Sequence, residues 1–148
     1  MFTPKLGQPF RFLTWDEIYE KLHLLAKHVE KKHITNVWGV PRNGQLITLL
    51  LSHMIKDLNL CQSPNSFKSE TNHAVYPTIV DDIYDTGNTL SPYVSKGYET
   101  LCLFRRQHPG EPTGFWEKPK SPDFWVEEIT DNSYLVFPWE EEALQQKD

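Results

Sequence analysis

Three carboxylates, a glycine and several side-chain donors fall together in Thr78-Ile79-Val80-Asp81-Asp82-Ile83-Tyr84-Asp85-Thr86-Gly87-Asn88-Thr89-Leu90. Ile79 and Val80 are β-branched and suit a buried strand. Gly87 supplies a positive φ or a close backbone approach. Thr86, Asn88 and Thr89 set side-chain donors beside free backbone N–H groups where a helix can start, and such a site holds a phosphate. At the strand end, Asp81 and Asp82 can take sugar hydroxyls directly or through a divalent cation. A phosphate cradle beside a diol-and-metal site is the chemistry of a phosphorylated sugar.

A second loop of interest lies one unit earlier, at Val40-Pro41-Arg42-Asn43-Gly44. Ile34 to Val40 reads as a core strand, Pro41 to Gly44 as a tight turn, and Gln45 to Leu58 as a strongly apolar helix buried on much of its surface. The later stretch repeats the order strand, glycine-containing loop, helix. Repeated βα units imply a parallel sheet with right-handed crossovers, whose ligands gather at the carboxyl ends of the strands. Arg42 and the acidic loop are therefore expected on one edge.

The acidic stretch resembles the phosphoribosyl-diphosphate (PRPP) signature of type I phosphoribosyltransferases: apolar residues, two acids, two variable residues, then Asp-Thr-Gly-Gly-Thr. Asn88 stands where the family has its second glycine, as a residue tolerant of the left-handed region. Val40 to Gly44 is similar to the family's diphosphate loop, which often holds a cis peptide before its Arg. Thr14-Trp15-Asp16 and Tyr134-Leu135-Val136-Phe137-Pro138-Trp139-Glu140 resemble more narrowly the bacterial xanthine-guanine enzymes.

This resemblance implies an α/β fold with a mostly parallel central sheet flanked by helices. It implies one domain over 1–148, with a small hood formed by about 1–13 and 123–148. It implies PRPP bound by Asp81, Asp82, Thr86, Gly87, Asn88, Thr89, Arg42, Asn43 and Gly44, with Mg²⁺ held at Asp81 and Asp82. Asp85 is the implied catalytic residue, its carboxylate taking the purine proton or stabilising the ribosyl cation. Tyr134 would stack on a 6-oxopurine, Leu135 would offer main-chain contacts, and Arg106 would donate to the purine 6-oxygen where the family has Lys. Val136 occupies a position at which the family often has an acid. Family members are commonly homodimers or homotetramers. The implied activity is purine salvage, with guanine, xanthine or hypoxanthine as acceptor; the alternative is a catalytically weak PRPP or nucleotide-binding regulator on the same fold. Residues 59–77 are short for the hairpin that closes over the reaction centre in purine members, and lack its Ser-Tyr dipeptide.

The elements that must position these residues are also legible. Thr14 to Glu17 reads as a capping box, and Trp15, Ile18, Tyr19, Leu22, Leu25, Ala26 and Val29 follow at helical spacing, predicting a helix over 15–32. His23 and His28 are five apart and share no face, so they read as surface or boundary residues and not as metal ligands. A short helix is expected at 89–96 with Gly97 as its C-cap. A strand is expected from Glu99 to Phe104, followed by Arg105-Arg106-Gln107, and another over Phe124 to Val126. Prolines 109, 112, 119 and 122 make 108–122 an irregular loop, and the acidic tail from Glu141 to Asp148 reads as helical or frayed.

At 148 residues one domain is the default, and 39% apolar composition suffices for its core. A net charge of −5 argues against a general nucleic-acid or membrane-surface binder. The two cysteines, Cys61 and Cys102, show no metal or disulfide spacing, which suits a reducing compartment. No secretory signal is apparent, and the apolar run around Leu46 to Leu51 is too short to span a membrane. A cytoplasmic protein is the expectation.

Overall fold

The computed structural model describes residues 4–65, 67–68, 74–107 and 121–140. In chain order the elements are β1 (Phe10–Phe12), α1 (Trp15–Lys31), β2 (Asn36–Gly39), α2 (Asn43–Met54), β3 (Asn59–Leu60), β4 (Phe67–Lys68), β5 (Ala74–Val75), β6 (Thr78–Tyr84), α3 (Ser91–Ser95), β7 (Thr100–Arg106), β8 (Phe124–Ile129), β9 (Tyr134–Val136) and a 3₁₀ turn (Pro138–Glu140). Five strands form one sheet in the order β3-β2-β6-β7-β8, and every neighbouring pair is parallel. All their carboxyl ends therefore open on one edge. The expected α/β architecture is present.

The helices form for local reasons. Thr14 Oγ1 accepts from Glu17 N, and the Glu17 carboxylate accepts from Thr14 N, closing the capping box of α1. Ile18, Leu22, Leu25, Ala26 and Val29 turn one face of α1 inward. In α2 the buried side is Gly44, Ile47, Thr48 and Leu51, while Leu49 is 48% exposed. That helix thus buries one face, less than its apolar run suggested. It also starts two residues early, so Asn43 and Gly44 lie in its first turn and not in a preceding loop.

Side-chain alternation splits the core into two layers. Val37 and Val80 face the main cluster with α1 and α2; their neighbours Trp38 and Ile79 face a smaller cluster with Val40, Leu90, Tyr93 and Tyr98. Three strands run past their expected ends. β6 continues past its apolar start through Asp81 to Tyr84, because its ladder with β7 continues from Asp81↔Cys102 to Tyr84↔Arg105. β7 runs on to Arg106, and both of its terminal arginines are buried and not a solvated pair. β8 extends to Ile129 and belongs to the central sheet.

The terminal segments meet as β1 and β9, a separate parallel pair with Phe10 opposite Tyr134. Arg11 and Lys21 both bind Glu127 of β8, at 2.6 and 2.9 Å, tying this pair and α1 to the sheet. In the stretch expected to lack a full lid, β4 and β5 form a small antiparallel hairpin. His28 stacks flat on Phe124 at 3.9 Å, and burial lowers its pKa, while His23 is exposed. The loop 108–120 and the tail 141–148 lie outside the described residues. No helix among the described residues is long and apolar enough to cross a membrane.

Candidate functional site

The carboxyl ends of β2, β6 and β7 deliver three segments to one edge of the sheet. From β2 the chain passes through a cis Pro41–Arg42 peptide into α2, with Arg42 exposed at the N-cap. Gly44 explains how close this loop comes to the next strand: a Cβ there would collide with the Val80 carbonyl and crowd the Asp81 Cα. A Cβ on Gly39 would in turn collide with the backbone of Gly44. The two glycines let the start of α2 rest directly on β6 where the acids begin.

Asp81 is buried, and its Oδ1 accepts from Asp82 N at 2.8 Å. Burial, then the neighbouring Asp82 charge, hold its carboxyl well above the usual carboxylate range. Asp82 is only half-buried; its Oδ1 accepts from Ile83 N and its Oδ2 from Asn43 Nδ2, each at 2.8 Å. Asn43 Oδ1 accepts from Trp139 Nε1 at 3.0 Å. One amide therefore links the α2 loop, the acid pair and the 3₁₀ turn.

After β6 the loop turns at Gly87, whose φ is +84° and whose Cβ would strike the Tyr84 hydroxyl. Only glycine suits that position. Asn88 does not adopt a positive φ, so its tolerance of the left-handed region is not what admits it; its N–H donates to Thr86 Oγ1 at 3.3 Å. Thr86, Asn88 and Thr89 are exposed, and α3 that follows has only five residues.

Asp85 at the head of this loop accepts from Arg106 Nε at 3.0 Å. Arg106 also donates through Nη1 to Asp131 O at 2.7 Å and through Nη2 to Ser133 O at 2.6 Å. Tyr134 follows this turn, half-buried, with its ring 5.8 Å from Phe10. Burial raises its hydroxyl pKa, and the charges of Glu140 and Asp82 add to that shift, so all three share one neighbourhood. Leu135 turns its side chain into the main core.

The structure thus brings Arg42, Asn43, Gly44, Asp81, Asp82, Asp85 to Thr89, Arg106 and Tyr134 to one side of the sheet. Sequence reasoning missed Trp139 and Glu140 as members. Glu140 Oε1 accepts from Phe137 N at 3.1 Å, and burial followed by the Asp82 charge raises its pKa. The available signal for Trp139 was its indole N–H, which needs a partner when covered.

An oxygen-only donor pair such as Asp81 and Asp82 suits a hard divalent cation. Burial, and then the Asp82 charge, keep Asp81 hard to ionise, and a bound cation would offset both. Among the described residues no group of three or more His, Cys, Asp or Glu could enclose a metal. Mg²⁺ commonly keeps substrate oxygens and waters among its ligands, so two protein carboxylates fit it.

No protein-family model and no curated protein matches the sequence. Solved structures do match. The chain is similar to a purine phosphoribosyltransferase from Pyrococcus horikoshii Ot3, with TM-score 0.60 and 22% identity over 87% of this chain and 92% of that one. It is similar to a Helicobacter pylori xanthine-guanine-hypoxanthine phosphoribosyltransferase, with TM-score 0.63 and 16% identity over 93% and 98%. It is also similar to a Neisseria gonorrhoeae protein solved with bound ppGpp, with TM-score 0.64 and 10% identity over 94% and 93%. The fold is that of the purine phosphoribosyltransferases; at these identities the likeness is one of fold.

Proposed function

We propose that this chain transfers the 5-phosphoribosyl group of PRPP to a 6-oxopurine base, releasing diphosphate. The observation that carries the reading is the side-chain chain Trp139–Asn43–Asp82, which joins three segments distant in sequence beside the acid pair. The fold of the purine-transferring neighbours supports the same reaction class.

In this reaction a purine nitrogen bonds to the anomeric carbon as the bond from that carbon to the diphosphate oxygen breaks. Amides of Thr86 to Thr89 hold the 5′-phosphate, far from the bond being made, and so supply orientation. Arg42, with the backbone of Asn43 and Gly44, holds the departing diphosphate through charge-assisted bonds. Asp81 and Asp82 hold the ribose hydroxyls and a divalent cation, which when bound supplies neutralisation of the diphosphate charge. Tyr134 stacks on the base, and main chain near Leu135 lines its edge. Asp85 accepts the proton that the purine nitrogen loses, or faces the developing ribosyl cation as a counter-charge.

The test is incubation with PRPP, Mg²⁺ and guanine, xanthine or hypoxanthine, with nucleotide and diphosphate measured by chromatography. Nucleoside monophosphate from at least one base is expected; none from any base rejects the proposal. Asp85→Asn should lose roughly 10²–10⁴-fold in kcat while calorimetric PRPP binding survives.

A second reading is a nucleotide-binding regulator with little or no turnover. The neighbour that carries bound ppGpp favours it. Tight binding of a guanine nucleotide without transfer would select this reading, whereas turnover at ordinary enzyme rates would reject it.

A further inference from the structure

We infer that Arg106 is a positioning residue that locks the Asp85 carboxylate to the turn feeding the aromatic strand β9. Its side chain is 9% exposed, and each of its three guanidinium nitrogens donates to a different partner: Asp85, Asp131 O and Ser133 O. Two of these partners are main-chain carbonyls in the turn between β8 and β9; the third heads the loop after β6. The turn is itself closed by Asp131, whose Oδ1 accepts from Ser133 N at 3.0 Å and from Ser133 Oγ at 2.6 Å. Tyr134 is the next residue. Arg106 thus ties the loop after β6 to the turn before β9 with one rigid group.

The side-chain chemistry explains why the residue is Arg. A guanidinium is planar and offers donors on all three nitrogens in a fixed fork, so it can span partners lying in different directions. A lysine ammonium is a compact point charge at the end of a flexible stem and cannot hold that span. Because the group is buried, its charge requires the Asp85 partner, and its N–H groups require acceptors, which the two carbonyls provide. Commitment at all three nitrogens also fixes the orientation of the guanidinium. Turning it toward a purine oxygen would break these bonds, among them the one to the buried Ser133. The geometry therefore assigns Arg106 to holding Asp85 and the Tyr134 turn rather than to reading the base, so base choice falls to other groups.

This assignment rests in part on the proposed transfer reaction, so its test has an arm that needs no turnover. Hydrogen exchange is measured on the full chain for wild type, Arg106→Lys and Arg106→Gln. Faster exchange confined to 85–89 and 131–134 is expected in both variants. Unchanged exchange in those segments overturns the clamp, and so does acceleration spread evenly over the whole sheet. Arg106→Lys keeps the charge, which guards against simple failure to fold. In the kinetic arm, Arg106→Lys should lower kcat roughly 100-fold, as expected for a misplaced reacting group, with KM for the base and the order of base preference kept. A changed base preference at unchanged kcat would make Arg106 a base reader and overturn the assignment. If wild type shows no transfer, the proposed function falls, and the exchange result still decides the clamp.

Discussion

Asp81 shows what the acid pair costs the fold. Its carboxyl has an ordinary value of 3.8, and burial next to Asp82 raises it in the folded state. Between the unfolded and folded values the native chain holds a proton that the unfolded chain releases. Stability therefore falls as pH rises through that window. Asp81→Asn should unfold at a higher temperature than wild type at neutral pH, and the gap should close on titration toward about pH 4, where the unfolded carboxyl is protonated too. Thermal unfolding across that range checks it; a variant no more stable than wild type at neutral pH would contradict it. The same substitution should abolish any stabilisation by Mg²⁺, since only a ligand of the native state raises stability. The run of acids was legible as a site because its residue types are costly to bury without a purpose. That Asn43 reaches Asp82, and that Arg106 reaches Asp85, was not legible, because the partners lie 39 and 21 residues apart.

Among the elements, α1 was readable almost to the residue, since a capping box and a 3.6-residue apolar period are both local. α2 was misplaced at its start, because Pro-Arg-Asn-Gly carries strong turn signals. What overrides them is contact: the helix start lies against β6, with Gly44 beneath Val80. Gly44→Ala should therefore lose roughly 1–3 kcal/mol, as overpacking does, read by urea unfolding, and should weaken diphosphate binding in the same variant. An unchanged unfolding midpoint would show that the loop yields to a methyl group. β6 was read too short for a related reason. Its last residues are polar, and only the ladder with β7 keeps them extended.

Across the whole molecule, Glu127 joins three parts: β8 of the sheet, Arg11 of the β1–β9 pair and Lys21 of α1. Its hydrogen bond with Arg11 holds its pKa below the ordinary 4.5, with Lys21 helping against a smaller opposing effect of burial. The stability it contributes is present above that ordinary value and is lost as pH falls through the lower folded one. Glu127→Gln should cost about 1 kcal/mol or less at neutral pH, given that the carboxylate is 31% exposed and screened. The difference from wild type should vanish once acid protonates Glu127 in the folded state. Urea unfolding at neutral and acid pH compares the two chains; an equal deficit at both would show that packing, not charge, is responsible.

By itself the sequence determined the βα repeat, the edge at which ligands gather, the capped first helix and the acidic loop, because each follows from neighbours within a few residues. Tertiary structure alone decided which side chains meet there. The Asn43 bridge to Asp82 and Trp139, the Arg106 clamp on Asp85, and the place of β8 at the end of the central sheet all depend on parallel strands bringing distant segments together. Local propensity carries no information about such meetings, whereas burial and pairing across the sheet do.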